Sequence, residues 1–107
     1  MRRGEVWWAA LDPVRGGEIG KTRPAVIISN DVANQRRNRV QVLPMTSNLK
    51  QVLPWEARVE LGGRFSKVLA DQIRTVAKER LSTRVGVLSP SDLRDVERAL
   101  RIQLALR

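Results

Sequence analysis

The chain has 107 residues, of which 20 are Lys or Arg and 11 are Asp or Glu, so its formal net charge is +9. This length predicts one domain over residues 1–107, since a domain averages roughly 150 residues. Cys and His are both absent, which excludes disulfide scaffolds, thiol nucleophiles, Ser-His-Asp triads and histidine metal sites. Any catalysis has to use Arg, Lys, Asp, Glu, Ser, Thr or Gln. The basic excess predicts a polyanionic partner such as nucleic acid.

Targeting signals are not evident in the sequence. No apolar run reaches the roughly 18 to 20 residues that a membrane span needs. The N-terminal segment Met1-Arg2-Arg3-Gly4-Glu5 is basic, but no apolar region follows it, so it does not resemble a signal peptide. The sequence therefore predicts a cytoplasmic protein that makes no contact with a membrane.

The chain begins with strands. Bulky residues over 5–11 predict a first strand, which the turn pair Asp12-Pro13 closes. A loop with three glycines is expected over 12–24. The β-branched run over 25–29 is typical of a buried central strand.

The middle of the chain predicts further short strands. Polar and basic residues from Asn30 to Arg39 indicate a loop or a short helix, and 39–43 alternates like a strand whose regular ladder ends at Pro44. Gly62-Gly63 is a hairpin signal. Four later stretches alternate in the same way and predict strands: 56–61, 67–70, 73–77 and 83–87.

The last element is a predicted helix. Ser89 suits its N-cap, Pro90 its first position and Asp92 its third. Apolar residues at helical spacing follow: Leu93, Val96, Leu100 and Leu104. The arginines between them, Arg94, Arg98 and Arg101, are expected to form a solvated face. Short strands and one C-terminal helix predict a β-rich α+β fold, a small and partly open antiparallel barrel.

Arg23 is the first candidate functional residue. It lies in Lys21-Thr22-Arg23-Pro24, immediately before the predicted strand 25–29, and Pro24 restricts the backbone there. A guanidinium anchored in this way can stabilise charge on a phosphate in a transition state. The residues leave open a second interpretation, in which Arg23 forms a structural salt bridge with Glu18.

Polar residues also follow two later strands. Thr46, Ser47 and Asn48 come after strand 39–43, where such residues usually form a turn. If this end lies beside Arg23, Thr46 and Ser47 can donate hydrogen bonds to the same phosphate, and Lys50 adds a positive charge. Asp71-Gln72 interrupts an apolar stretch, and such a polar pair needs hydrogen-bond partners or a functional role.

Four segments occur in an order and spacing that can be compared with known families: Gly4-Glu5-Val6-Trp7, Arg23-Pro24-Ala25-Val26-Ile27, Pro44-Met45-Thr46-Ser47 and Ala70-Asp71-Gln72-Ile73-Arg74. Over nearly the whole chain they resemble the MazF/PemK-type toxins of bacterial toxin–antitoxin pairs. The resemblance implies a dimeric mRNA interferase with an SH3-like barrel that cleaves single-stranded RNA without a metal or another cofactor. It further implies a homodimer and a cognate antitoxin, whose acidic tail we expect on the basic groove.

The resemblance also implies roles for individual residues. Arg23 and Thr46 match the catalytic Arg and Thr of the family, and Glu18 matches an acidic position implicated in some members and is our candidate general base. The expected products are a 2′,3′-cyclic phosphate and a 5′-hydroxyl. The expected RNA-binding residues are Lys21, Thr22, Ser47, Asn48, Lys50, Asp71, Gln72 and Arg74.

Two departures and two alternatives limit this interpretation. Some PemK-type members use a His in the first loop and an Arg before the Asp-Gln pair; this chain has no His and carries Leu69 there. Their acid–base roles therefore do not transfer. The first alternative is a gyrase poison of the CcdB type. Such proteins carry a Trp near the C-terminus as a binding determinant, whereas this chain ends Leu104-Ala105-Leu106-Arg107, which disfavours this alternative. A non-catalytic nucleic-acid-binding barrel is the other alternative.

Trp7 and Trp8 point to opposite faces of the predicted first strand. One of them can stack a base, although packing in the core or in a dimer interface is favoured for both.

Overall fold

The computed structural model describes all 107 residues. Every element expected from the sequence is present. The strands are β1 (Glu5–Ala10), β2 (Thr22–Ile27), β3 (Arg39–Thr46), β4 (Glu56–Leu61), β5 (Arg64–Leu69), β6 (Arg74–Ala77) and β7 (Leu81–Val87); the helices are α1 (Asp31–Arg36) and α2 (Pro90–Leu104); two 3₁₀ turns cover Ala70–Gln72 and Lys78–Arg80.

The strands form one antiparallel sheet in the order β4-β5-β3-β2-β1-β7, and β6 also pairs with β3. On one edge β3 pairs with β2; on the other it pairs first with β6 and then, from Met45, with β5. The end strands approach each other, because a Cβ added to Gly86 of β7 would lie 3.0 Å from the Leu61 side chain of β4. The sheet is therefore curled into a half-barrel, and the predicted small barrel with a C-terminal helix is confirmed.

Apolar side chains are buried on both faces of the curled sheet. Val6, Val26 and Leu43 form a row across β1, β2 and β3 and pack in a core cluster that includes Val96 and Ala99 of α2. The opposite face buries a second cluster, built from Ala9, Leu11, Ala25, Ile27, Val40, Val42, Val76 and Leu81. The alternation that predicted the strands thus serves two cores, since successive side chains point to opposite faces.

Two strand boundaries differ from the sequence prediction. β2 begins at Thr22 rather than at residue 25, because β1 continues to pair with it as far as Ala10. Arg23 therefore lies within a strand and not before one. The ladder of β3 does not end at Pro44, which pairs with Ala25. On its other edge Pro44 lies between the ladder of β6 and the ladder of β5, so the missing N–H removes no ladder hydrogen bond there.

Smaller boundary differences concern the strands predicted at 67–70 and 83–87, which the structure places at 64–69 and 81–87. Gly62 and Gly63 form the predicted two-residue hairpin, with φ of +59° and +78°, a combination that suits glycine because it has no Cβ. Asn34, in α1, is fully buried. Neither helix is long and apolar enough to cross a membrane.

Helix α2 begins as predicted, but one of its arginines is only partly exposed to solvent. Ser89 accepts a hydrogen bond from the Asp92 N–H at 3.1 Å, and Pro90 is the first helical residue. Arg98, however, donates to the carbonyl oxygens of Pro54 and Glu56 at 2.9 and 3.2 Å. The predicted solvated face therefore holds only in part at Arg98, whose side chain is 43% exposed, because this side of α2 packs against β4 and the segment before it.

Candidate active site

The register of the central strands brings two of the predicted site residues together. Ala25 of β2 and Pro44 of β3 form the last pair of their ladder, and Arg23 and Thr46 lie two residues beyond this pair on the two strands. Both residues line one cavity of about 400 Å³ at this end of the strands, which we call the Arg23 cavity.

The Arg23 cavity combines positive charge with exposed apolar surface. Its polar lining comes from Thr22, Arg23, Thr46, Ser47, Arg64 and Ser66, and its apolar lining from Trp8, Pro24, Met45, Leu61, Phe65 and Val85. No carboxylate is among these residues. A cavity with two guanidinium groups and no opposing acid attracts anions, and its hydroxyl groups can donate hydrogen bonds to phosphate oxygens.

The guanidinium of Arg23 is held at one nitrogen only. Its Nε donates to the carbonyl oxygen of Gly20 at 2.9 Å, and Arg23 forms no salt bridge. The alternative in which Arg23 pairs with Glu18 is therefore wrong, since the Glu18 carboxylate instead accepts the Arg15 N–H at 2.6 Å. Both terminal nitrogens of Arg23 remain available to a ligand.

The segment after Thr46 forms the turn that its composition indicated. The Thr46 hydroxyl accepts the Asn48 N–H at 3.3 Å, and the Asn48 side chain accepts the Lys50 N–H at 3.1 Å. Accepting this bond leaves the Thr46 hydroxyl proton free to be donated. Ser47 lines the Arg23 cavity, whereas Asn48 and Lys50 do not. The expectation that Lys50 adds positive charge at this site is therefore not met, because Lys50 does not line the cavity.

A largely buried ion pair between Lys67 and Glu56 holds the segment that follows Thr46. Lys67 of β5 lies opposite Thr46 in the sheet. Its Nζ donates to the Glu56 carboxylate at 3.1 Å and to the Gln51 carbonyl oxygen at 2.6 Å. Glu56 also accepts the Leu53 N–H at 2.9 Å. These bonds fix the path of the chain between Thr46 and β4.

A second cavity, of about 330 Å³, gathers four other predicted residues: Glu18, Asp71, Gln72 and Arg74. The predicted need of Gln72 for partners is met by the loop between β1 and β2, because its amide accepts the Ile19 N–H and donates to the Gly17 carbonyl oxygen, both at 3.2 Å. Arg74 donates to the Leu11 carbonyl oxygen at 2.8 Å. Gln72 and Arg74 thus hold the loop that carries Glu18.

The structure therefore does not bring every predicted residue to one site. Arg23, Thr46, Thr22 and Ser47 share one cavity, whereas Glu18 belongs to another. Lys21 lines neither cavity and has a positive φ of 65°; its N–H donates to the Asp12 carboxylate at 2.9 Å.

Sequence reasoning missed Arg64 and Phe65 in the Arg23 cavity. They follow the Gly62-Gly63 hairpin directly, at the start of β5. A cationic side chain next to an aromatic one at that position was the sequence pattern that could have indicated a binding role. The guanidinium of Arg58 lies 4.4 Å from the centre of the Phe65 ring. This cation–π contact orients the ring at the edge of the cavity.

Two carboxyl groups away from both cavities have a pKa below the ordinary value. Burial alone raises the pKa of Glu5, but hydrogen bonds from the Arg2 N–H and the Trp7 indole, with nearby positive charges, lower it further than burial raises it. The pKa of Asp31 is lowered by the hydrogen bond from the Arg3 N–H and by the Asn34 amide, although burial opposes this. Nowhere do three or more acidic side chains cluster as they would to hold a metal ion.

Both the sequence and the fold match known proteins. The family described as PemK-like, MazF-like toxin of type II toxin-antitoxin system matches residues 2–104. The chain belongs to this family. It is 40% identical over 115 residues to the Endoribonuclease MazF9 of Mycobacterium tuberculosis, in a match that covers 99% of this chain and 98% of that protein. The resemblance to MazF/PemK-type toxins is thus confirmed.

Solved structures of the family share the fold. A crystal structure of MazF from Deinococcus radiodurans has a TM-score of 0.88 at 27% identity, over 99% of this chain and 97% of that one. An endoribonuclease in complex with its cognate antitoxin, from a mycobacterial species, has a TM-score of 0.85 at 23% identity, over 100% and 97% of the two chains.

Proposed function

We propose that this chain is an endoribonuclease toxin that cleaves single-stranded mRNA in the cytoplasm at a short sequence, inhibits translation and growth, and is neutralised by a cognate antitoxin. The observation that carries the proposal is that Arg23 and Thr46 line one cavity together with Arg64, and that no carboxylate is among its lining residues. The relative from M. tuberculosis is named as an endoribonuclease. A substrate with negatively charged phosphates suits the +9 charge of the chain.

The proposed reaction uses the RNA's own 2′-hydroxyl as the nucleophile and needs no metal. The 2′-oxygen bonds to phosphorus while the bond from phosphorus to the 5′-oxygen breaks, which leaves a 2′,3′-cyclic phosphate and a 5′-hydroxyl. Arg23 stabilises the extra negative charge that the phosphorane carries. The Thr46 hydroxyl donates a hydrogen bond to one of its oxygens. Arg23 acts by charge rather than as a proton donor, because arginine has a pKa above about 12.

A base has to accept the proton of the 2′-hydroxyl, and the leaving 5′-oxygen takes up a proton from solvent water. We assign Glu18 as the base because it is the acidic residue on the loop that precedes Arg23. In this structure the Glu18 carboxylate accepts the Arg15 N–H and lines a different cavity from Arg23. The loop that carries Glu18 therefore has to move when RNA binds, so that the carboxylate reaches the 2′-hydroxyl. Such assistance is worth about 10²–10⁴-fold in rate.

RNA binding is assigned to polar residues that line the two cavities or lie near them in the sequence: Lys21, Thr22, Ser47, Asn48, Lys50, Asp71, Gln72 and Arg74. Trp8 is 39% exposed and lines the Arg23 cavity, so it is the tryptophan that can stack a base, a contact worth about 1–3 kcal/mol. Trp7 packs against the second core cluster instead. We also propose that the active form is a homodimer.

The decisive experiment incubates the purified protein with a long RNA in excess EDTA and maps the new ends. We expect cuts at a recurring short sequence, with 5′-hydroxyl ends that a polynucleotide kinase labels without prior phosphatase treatment. A non-catalytic nucleic-acid-binding barrel or a gyrase poison would leave the RNA intact. Products with 5′-phosphates, or cleavage that EDTA abolishes, would contradict the proposed chemistry.

A further inference from the structure

The surface around α1 carries positive charge that the proposed reaction does not use. Arg36, Arg37 and Arg39 follow one another closely at the end of α1 and the start of β3, and all three are exposed. None of them forms a salt bridge. Three exposed, unpaired guanidinium groups within four residues concentrate positive charge on this surface, and this favours the binding of an anion.

A cavity of about 240 Å³ lies between α1 and the strands β3 and β6, and we call it the Arg37–Arg39 cavity. Its lining consists of these two arginines with Ser29, Ala33, Asn34, Val40, Gln41 and Thr75, and it contains no carboxylate. The Gln41 amide and the Thr75 hydroxyl make no hydrogen bond within the chain, and Arg39 makes only one of 3.5 Å, to Asn38. Guanidinium, amide and hydroxyl donors around one space suit a phosphate group.

The position of this cavity relates it to the Arg23 cavity. Arg39 is the first residue of β3 and Thr46 is the last, so the two lie about 23 Å apart at the 3.3 Å rise per residue of a strand. The whole molecule measures 33 × 31 × 28 Å. A stacked strand that rises about 3.4 Å per nucleotide covers this distance in about seven nucleotides, and an unstacked strand needs fewer because it is longer per nucleotide. An RNA with only two nucleotides on either side of the cleaved bond is too short to reach from one cavity to the other.

We propose that the Arg37–Arg39 cavity binds a backbone phosphate of the RNA strand that flanks the cleaved segment, and so favours long substrates over short ones. The inference rests on the proposed function, because it extends the path of the same RNA. The lining favours RNA over an acidic peptide: Val40 is 2% exposed and the rest is almost entirely polar. A bound peptide needs apolar anchors between its charges, whereas a phosphate backbone does not.

The test compares the double variant R37Q/R39Q with R94Q/R101Q, which removes the same charge from exposed arginines of α2 that form no salt bridge. Both are made in an Arg23→Ala background, so that binding is measured without cleavage. The probes are an unstructured RNA of about 30 nucleotides with a mapped cleavage site and a five-nucleotide RNA around that site.

We expect R37Q/R39Q to bind the long RNA about three- to tenfold more weakly than R94Q/R101Q and to bind the short RNA equally well. The slope of log K against log salt should fall by about 0.7 for each RNA phosphate that the variant no longer binds. R37K/R39K, which keeps both charges, should retain most of this slope. Equal melting temperatures of the variants exclude a folding effect.

Three results would overturn the inference. The first is equal binding of the long RNA by R37Q/R39Q and R94Q/R101Q. The second is an equal decrease in affinity for the short and the long RNA, which would indicate a disturbed Arg23 cavity. The third is unchanged RNA binding with weakened binding of an acidic antitoxin tail, which would assign the cavity to a peptide. Failure of the proposed function is seen separately, as intact RNA after incubation with the wild-type chain.

Discussion

Arg23 of β2 and Thr46 of β3 line the same cavity, each two residues beyond Ala25 and Pro44, the last pair of their ladder. Both strands are central in the sheet, and each is paired on both sides. The two side chains therefore start from backbone positions that the core fixes. Donors held in this way need little reorganisation when charge develops on a phosphate, which is the condition for efficient electrostatic stabilisation.

Arg23→Ala should reduce the rate of RNA cleavage by on the order of 10²–10³, the effect of removing one preorganised charge-stabilising donor. Thr46→Val, which keeps the shape and removes the hydroxyl, should reduce it less, because a neutral donor forms a weaker bond. The measurement is single-turnover cleavage of a labelled RNA. Arg101→Ala, an exposed residue outside both cavities, is the control. Normal cleavage by a folded Arg23→Ala variant would show that the catalytic site lies elsewhere.

Sequence patterns predicted the strands of this fold but not all of their neighbours. Alternation and turn residues located β1 to β7 within a few residues, because the period of two reports burial on a face. Arg64 and Phe65 could not be assigned to the Arg23 cavity, since nothing local indicates that β5 pairs with the end of β3. The partners of Gln72 are the loop residues Ile19 and Gly17, 53 and 55 positions away, a sequence separation over which local pattern carries no information.

The extent of each strand was also set by its partners. Pro24 and Pro44 were expected to lie at strand boundaries, since proline lacks the N–H that a ladder uses. Both lie within strands because neighbouring strands continue past them. The resemblance to the family predicted roles for Arg23 and Thr46 together, and the pairing of β2 with β3 explains how two residues 23 positions apart in the sequence line one cavity.

The Glu56–Lys67 pair should contribute more to stability than an exposed pair does. Both side chains are mostly buried, at 8% and 13% exposure, so Lys67→Met leaves a carboxylate without its counter-charge. We expect the free energy of unfolding to fall by about 3 kcal/mol. Asp95→Asn, which breaks the half-exposed pair with Arg98, should cost less than about 1 kcal/mol.

Urea denaturation monitored by tryptophan fluorescence measures both changes. The double variant Glu56→Met/Lys67→Met should be more stable than Lys67→Met alone, since it removes the buried charge that the single variant leaves unpaired. A Lys67→Met protein as stable as the wild type would show that the Glu56 carboxylate is solvated rather than dependent on Lys67.

Glu5 should make stability depend on pH in the acid range. Because the pKa of Glu5 in the folded chain is below its ordinary value of 4.5, its ionised form stabilises the fold. This contribution is complete above pH 4.5 and is lost as pH falls through the lowered value. Glu5→Gln should therefore flatten the decrease in melting temperature below pH 4.5. Glu79→Gln, an exposed residue without an ion pair, should leave that decrease unchanged, and an identical curve for both variants would refute the assignment.

The Arg23 cavity should bind either RNA or an antitoxin, but not both at once. It combines unpaired guanidinium groups with exposed apolar side chains, among them Trp8, Phe65 and Val85. An acidic, disordered tail can place carboxylates where RNA phosphates bind and pack apolar residues between them. Charge should make the association fast and sensitive to salt, while the apolar contacts should retain some affinity at high salt.

Competition measures this directly. A fluorescent RNA with a 2′-deoxy residue at the mapped cleavage position cannot be cut, and it should be displaced by the antitoxin tail peptide at concentrations near the peptide's own Kd. A peptide of the same sequence with Asn and Gln in place of Asp and Glu serves as the control and should displace the RNA far less. In the Arg23→Ala variant both ligands should bind more weakly, because they share one guanidinium. Simultaneous binding of peptide and RNA would show that the antitoxin inhibits from a separate surface.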